Sequence, residues 1–101
     1  MTAIAGDVSP LATPPVVVKL SGALVHLFPG APRRLEVSAT TVDGMIDALD
    51  AAWPGMRDRI CDSTPAIRRH MNVFIDGRRA TLATPLAPGA EVFVLTAISG
   101  G

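Results

Sequence analysis

The chain has 101 residues, which is enough for one domain with a single modest core and leaves no room for a second. Its nine basic and nine acidic side chains cancel, so we expect no long-range field that would concentrate nucleic acid or an anionic membrane. The single cysteine cannot form an internal disulfide or complete a zinc motif, and the two histidines fit no metal-ligand spacing, so the composition predicts no metal site.

The first 15 residues combine proline and glycine with small side chains and show no sustained period. We predict that residues 1–15 are a flexible leader and that the domain spans residues 16–101. The chain start lacks both the basic residues and the long apolar stretch of a signal peptide. No apolar run reaches the length of about 18 residues that spans a bilayer. These features, together with the single cysteine, predict a soluble cytoplasmic protein with no membrane partner.

Two strands are predicted in the first part of the domain. Residues 16–20 are β-branched and apolar, with alternate side chains facing one side of a sheet. Residues 22–32 are apolar but are interrupted by proline and glycine, so we predict a connecting loop with buried anchors. Residues 34–38 alternate polar and apolar side chains, as does a strand with one solvated face. The two strands are expected to pair as a hairpin.

A helix is predicted from Thr41, which can cap its N-terminus, to Pro54-Gly55, which end it. Its apolar side chains form one stripe at helical spacing, which should pack on the sheet, and they are Val42, Met45, Ile46, Leu49 and Trp53. Asp43, Asp47 and Asp50 lie beside this stripe. A carboxylate cluster can bind metal or act in acid–base chemistry, but no histidine or glutamate joins it, so we interpret it as a solvated face.

The remaining segments complete the sheet. Residues 56–69 mix charge, proline and short apolar pieces, which predicts an irregular linker with one helical turn at its start. Residues 71–75 form a strand, Asp76-Gly77 a two-residue hairpin turn, and residues 78–80 a short returning strand. Residues 91–97 are apolar on both faces, as in a central strand. This order predicts an α+β fold of the β-grasp (ubiquitin-like) type, with a mixed four- to five-stranded sheet packed on one main helix.

The last strand runs into Ser99-Gly100-Gly101, where the sequence stops. Two glycines in succession make a thin, flexible peptide that can enter a narrow channel in another protein. A reactive terminal carboxylate is the chemistry that such a tail suggests. At a background glycine frequency of about 7%, however, a terminal diglycine arises by chance in roughly one protein in two hundred. The motif alone is therefore a weak signal.

With these segments in place, the chain resembles the MoaD/ThiS family of ubiquitin-like sulfur carriers. The matching segments keep the family's order and spacing, and they are residues 16–20, 41–49, 53–55, 71–77, 84–86, 89–92 and 97–101. The long segment between helix and hairpin is more similar to the MoaD- or CysO-like long form than to compact ThiS. The family commonly has proline where Thr96 stands and an acidic residue where Pro88 stands, which leaves the choice of partner open.

The resemblance implies a cycle of reactions on the tail. An adenylating enzyme of the ubiquitin-activating type would use ATP to activate the Gly101 carboxylate. A sulfur donor protein would then supply the sulfur that displaces AMP, and a sulfur-accepting synthase would consume the thiocarboxylate. Gly101 would carry the sulfur while Gly100 and Ser99 extend it from the domain. No residue of the domain would be catalytic, and the chain would bind no cofactor of its own.

Docking to these partners must come from the folded surface. The last strand has more apolar residues than one core face can use, so Phe93, Leu95 or Ile98 are predicted to face a partner. The alternative for Phe93 and Leu95 is packing under the linker. Eight of the nine basic residues are arginines in close pairs, namely Arg33-Arg34, Arg57/Arg59, Arg68-Arg69 and Arg78-Arg79. We interpret them as solvated loop ends, and docking to a partner's carboxylates stays open.

Three functions stay open on the sequence. The first is a sulfur carrier for molybdopterin, cysteine or a secondary metabolite. The second is a protein modifier joined to target lysines through Gly101, because both chemistries begin with the same adenylate. The third is a small binding subunit in which the glycine tail has no role.

Overall fold

The computed structural model describes residues 14–96. In this part of the chain five strands form one sheet, and they are β1 (Val16–Leu20), β2 (Arg34–Val37), β3 (Met71–Ile75), β4 (Arg78–Arg79) and β5 (Glu91–Thr96). Three helices accompany them, and they are α1 (Gly22–Leu27), α2 (Val42–Ala52) and α3 (Met56–Ile60). Residues 1–13 of the predicted leader and residues 97–101 of the predicted tail lie outside the described residues.

The sheet has the strand order β2-β1-β5-β3-β4, which places β5 at its centre. β5 runs parallel to β1, with Val18 opposite Val92, and antiparallel to β3, with Val73 opposite Val94. β2 pairs antiparallel with β1, as predicted. All four of these valines are buried, so both neighbours of β5 contribute to the same core. The predicted β-grasp fold and the central position of the last strand are confirmed.

The core lies between one face of the sheet and α2. Thr41 caps this helix, because its Oγ1 accepts the Gly44 N–H at 3.0 Å. Four of the five predicted stripe residues are buried without measurable exposure, and they are Val42, Met45, Ile46 and Leu49. Trp53, the fifth, is the C-terminal cap and is half-buried. Since burial of each large aliphatic side chain contributes about 1.5–3 kcal/mol, this stripe is a main source of the domain's stability.

The prediction of a loop over residues 22–32 is wrong at its start, where the structure has helix α1. Ser21 caps the helix by accepting the Leu24 N–H at 3.2 Å, and Leu24 is buried in the core. The proline and glycine of this segment come after the helix, where Gly30 has a φ of 92°. Six residues are too few to show a helical period, so the proline and glycine residues after the helix determined the prediction of a loop.

The predicted helical turn after Gly55 is confirmed as α3, and the α2 aspartates hold it in place. Asp50 Oδ1 accepts the backbone N–H groups of Gly55 and Arg57, each at 3.0 Å. The Arg57 guanidinium forms ion pairs with Asp43 at 2.8 Å and Asp47 at 2.7 Å. The α2 aspartates and Arg57 therefore link α2 to α3. The interpretation of the aspartates as only a solvated face was incomplete, and so was the interpretation of Arg57 as a solvated loop end.

The hairpin between β3 and β4 has the predicted turn. Asp76 has a φ of 50° and Gly77 a φ of 86°, so both central residues adopt the positive φ that a tight two-residue turn requires. The returning strand is one residue shorter than predicted, since β4 contains only Arg78–Arg79. It covers the outer edge of β3 over two residue pairs.

Candidate functional site

The candidate site begins where β5 ends, at Thr96. The Thr96 Oγ1 lies 2.8 Å from the Ser21 Oγ, and the Ser21 N–H donates to the Val94 carbonyl at 2.9 Å. On the other side, Thr96 is paired with Met71 of β3. The end of the strand is thus held from both sides, which fixes the point from which the remaining residues continue. The predicted docking residue Ile98 and the predicted tail residues Ser99, Gly100 and Gly101 lie outside the described part of the chain.

Alternate residues of β5 face opposite sides of the sheet. Val92 and Val94 are fully buried in the core, whereas Phe93 and Leu95 alternate with them along the strand and lie on the opposite face. Phe93 is half-buried and is not among the side chains packed against the core, and Leu95 is 38% exposed. We call Phe93 and Leu95 the sheet-face patch. Their placement favours a partner-facing role over packing in the core, and docking itself stays a prediction.

Basic side chains border the sheet-face patch. Together with Lys19, Arg33 and Arg34, the patch lines a shallow cavity of about 350 Å³. The Lys19 Nζ lies 5.1 Å from the centre of the Phe93 ring and 3.2 Å from Glu91. Lys19 also faces Arg34 directly across the β1–β2 pair, an arrangement of like charges that destabilises the pair. A carboxylate on a docking partner would relieve it.

A second cavity opens on the helix side of the same strand end. It has a volume of about 560 Å³, and its lining includes Leu27, Arg59, Arg68, His70, Met71 and Thr96. We call it the helix-side groove. Leu27 is 48% exposed, and it and Leu95 are the exposed large hydrophobic residues in the described part of the chain. Each therefore lies on a different side of the strand end. The sequence did not indicate Leu27 as a site residue, because its segment was predicted to be a loop.

The thiol of Cys61 is not suited to carry sulfur. Cys61 is 3% exposed, and burial raises the pKa of its thiol, with the nearby Arg57 opposing the effect. A thiol with a raised pKa is a poor nucleophile at neutral pH. Within residues 14–96 there is no group of three or more histidine, cysteine or acidic side chains placed to hold a metal ion. Across that same range, no helix has the length and apolar character that crossing a membrane requires.

Comparison with protein families identifies the chain. The family model described as "ThiS family" matches residues 19–101. The chain belongs to the ThiS family. The predicted resemblance to the MoaD/ThiS type is thereby confirmed, and the match includes both the sheet-face patch and the final diglycine.

Two curated relatives of this ThiS-family chain are informative. It is 30% identical over 78 residues to the sulfur carrier protein CysO of Mycobacterium tuberculosis. The aligned region covers 71% of this chain and 84% of CysO. The chain is 32% identical over 69 residues to small archaeal modifier protein 1 of Haloferax volcanii, which covers 67% of this chain and 79% of the modifier. These relatives are small carrier or modifier proteins rather than enzymes, so the ThiS-family chain is similar to members of both functional types.

Solved structures share the fold of the ThiS-family domain. The crystal structure of SAMP1 from Haloferax volcanii superposes with a TM-score of 0.71 at 28% identity, covering 85% of this chain and 98% of that one. The crystal structure of the Amycolatopsis orientalis BexX/CysO complex gives a TM-score of 0.76 at 22% identity, covering 85% and 99%. The second likeness concerns the fold alone. Both agree with the β-grasp arrangement of the described residues.

Proposed function

We propose that this ThiS-family protein is a sulfur carrier whose Gly101 carboxylate is converted to a thiocarboxylate that donates sulfur in a biosynthetic pathway. The observation that carries the proposal is the family match, which continues through the diglycine at residues 100–101. The 30% identity to a protein named as a sulfur carrier supports the same function. The receiving pathway would be that of molybdopterin, cysteine or a secondary metabolite.

The chemistry needs partner enzymes, because a free carboxylate is a poor electrophile. An adenylating enzyme of the ubiquitin-activating type would join the Gly101 carboxylate to AMP and release pyrophosphate from ATP. Hydrosulfide (HS⁻) released by a donor protein would then attack the acyl carbon, so that a C–S bond forms as the bond to AMP breaks. The resulting thiocarboxylate would pass its sulfur to an accepting synthase. This protein would be a cosubstrate of these enzymes, acting in the cytoplasm, where thiols stay reduced.

The described residues would serve this cycle by presenting the tail. The contacts of Thr96 with Ser21 and Met71 fix the base of the tail. The sheet-face patch, Phe93 and Leu95, lies one to three residues before that point and would dock the activating enzyme. Ile98 is proposed to extend the same contact. An enzyme that holds the patch would then find the glycines at a constant distance from its active site.

A second candidate is a protein modifier, and the 32% identity to small archaeal modifier protein 1 favours it. The same adenylate would be attacked by the amino group of a target lysine instead of by sulfur. An isopeptide bond between Gly101 and the target would form. The domain would need the same docking surface for the activating enzyme, so only the fate of the adenylate separates the two functions.

Intact mass spectrometry of the protein from its native host tests the proposal. A mass gain equal to the replacement of one oxygen by one sulfur, localised to Gly101, is the expected result. The matched control is a chain that lacks Gly101, which should show no gain. Covalent adducts of Gly101 on other proteins, without the sulfur-containing form, would show that the protein is a modifier and not a sulfur carrier. If the chain lacking Gly101 functions normally in the cell, both functions are wrong.

A further inference from the structure

We propose that the helix-side groove is a second docking surface, which binds an acidic segment of a partner protein that inserts one aliphatic side chain. The groove shares Thr96 with the candidate site but lies on the face of β5 opposite to the sheet-face patch. Its residues have no part in the tail chemistry proposed above. The proposal therefore stands or falls independently of whether Gly101 carries sulfur.

The charge of the groove indicates an acidic partner. Arg59, Arg68 and His70 lie on its rim, with Asp58 as its acidic residue. Within residues 14–96, the ion pairs of arginine with a carboxylate involve Arg57 alone, so the guanidinium groups of Arg59 and Arg68 have no such partner there. The Arg68 Nε donates to the Asp58 carbonyl at 2.7 Å, which orients the guanidinium while leaving its outer N–H groups available. Such a fork suits a carboxylate.

The inner surface of the groove is apolar. Leu24 and Met71 are buried beneath it, whereas Leu27 is 48% exposed on the adjacent turn of α1. An exposed leucine beside a cavity of about 560 Å³ is a site at which a partner's aliphatic side chain removes apolar surface from water. A polyanion such as RNA would satisfy the arginines but would leave Leu27 uncovered, and the chain has no net charge to attract it. The combination favours a peptide segment with both acidic and aliphatic side chains.

The position of the groove gives the proposal its functional meaning. Leu95 and Thr96 are consecutive residues on opposite faces of β5, so one partner can hold the sheet-face patch while another holds the groove. A chain that is activated by one protein and used by another gains from two surfaces beside the same strand end.

Amide NMR on the isotope-labelled full-length chain tests the proposal. The probe is a short peptide of alternating glutamate and leucine, and its counterpart alternates lysine and leucine. We expect the acidic peptide alone to shift the amides around Leu27, Arg59 and His70, and to bind more weakly as salt is added. Arg59→Glu should weaken binding about tenfold, because it replaces an attraction by a repulsion. Arg78→Glu is the matched control, an exposed arginine on the β3–β4 hairpin, outside the groove, that receives the same charge change, and it should alter binding less than about twofold.

Several outcomes would overturn the proposal. Shifts that map to the sheet-face patch, or equal effects of Arg59→Glu and Arg78→Glu, would show that the groove is not the binding surface. If an oligouridylate binds the groove as tightly as the acidic peptide does, the groove recognises polyanions in general and not an acidic peptide segment. Groove shifts that appear on dilution of the free chain would assign the groove to a second copy. Leu27→Ser should weaken peptide binding while the amide spectrum stays that of a folded domain, and unchanged binding would exclude the apolar contact.

Discussion

Leu95 and Val94 are neighbours on β5 whose truncation to alanine should have opposite consequences. Leu95 belongs to the sheet-face patch and is 38% exposed, whereas Val94 is fully buried in the core, on a strand paired with β1 and β3. If the patch docks the activating enzyme, Leu95→Ala should impair activation with little loss of stability. Val94→Ala should destabilise the domain and leave the docking surface in place.

The burial of each side chain sets the expected size of the effects. Full burial of a leucine is worth about 1.5–3 kcal/mol, so truncation of the partly exposed Leu95 should cost about 1 kcal/mol of unfolding free energy. Truncation of Val94 removes two buried methyl groups and leaves a cavity, which should cost about 2–3 kcal/mol. In a domain of this size 1 kcal/mol corresponds to a shift in Tm of roughly 4–8 °C. The two variants are therefore separable by thermal unfolding.

Pyrophosphate exchange catalysed by the host's adenylating enzyme measures activation, with the chain as the varied substrate. We expect Leu95→Ala to raise the KM for the chain by about tenfold, as loss of a central interface side chain does. Val94→Ala, assayed well below its Tm, should leave the KM within about twofold of the unsubstituted chain. An unchanged KM for Leu95→Ala, or a loss of stability as large as that of Val94→Ala, would refute the assignment of the patch.

Three further predictions concern stability. Asp50→Ala removes the acceptor of two backbone N–H groups at the start of α3 and should cost about 2 kcal/mol in chemical denaturation. Asp47→Ala loses only an exposed ion pair and should cost less than about 1 kcal/mol, so equal losses would contradict the capping role. Gly77→Ala should cost about 1–2 kcal/mol of unfolding free energy, because residue 77 has a φ of 86°, and open space around the added Cβ does not remove that backbone strain. A neutral result would show that the turn changes conformation. Hydrogen bonds from Thr64 lower the pKa of Asp62 below its ordinary value of 3.8. The stability that the ionised Asp62 carboxylate confers is therefore complete above pH 3.8 and is lost as the pH falls through the lowered pKa. Asp62→Asn should flatten this part of the acid-unfolding curve, and an identical curve would contradict the assignment.

The sequence predicted those elements whose pattern is local and repeated. The period of α2 and its Thr41 cap, the Asp76-Gly77 turn and the apolar strands each require only nearby residues, and the structure agrees with them. Helix α1 was missed because its six residues hold only one fully buried side chain, too few for a period. The link between Arg57 and the α2 aspartates joins residues 10 and 14 positions apart across a turn, a pairing that no local pattern specifies.

The site divides in the same way. Phe93 and Leu95 were predicted because the last strand has more apolar residues than one core face can use, although packing under the linker stayed an alternative on the sequence. The helix-side groove was not predictable, because Leu27, Arg59 and His70 come from three separate segments that only the tertiary fold brings together. Its arginines are spaced like ordinary solvated residues in the sequence. What distinguishes them is the uncovered leucine beside them, and that depends on the direction in which α1 packs.

The central position of β5 fixes the point from which the final residues continue. A strand at the edge of a sheet can detach without disturbing the core, but β5 pairs with β1 on one side and with β3 on the other. Its buried residues, Val92 and Val94, belong to the hydrophobic core, so the strand cannot shift without exposing them. A partner that grips either face of the domain therefore receives the strand end at a set distance and direction. In the proposed function, this rigidity would let two different proteins in succession find the same terminal glycine, which is a requirement that the carrier and modifier proposals share.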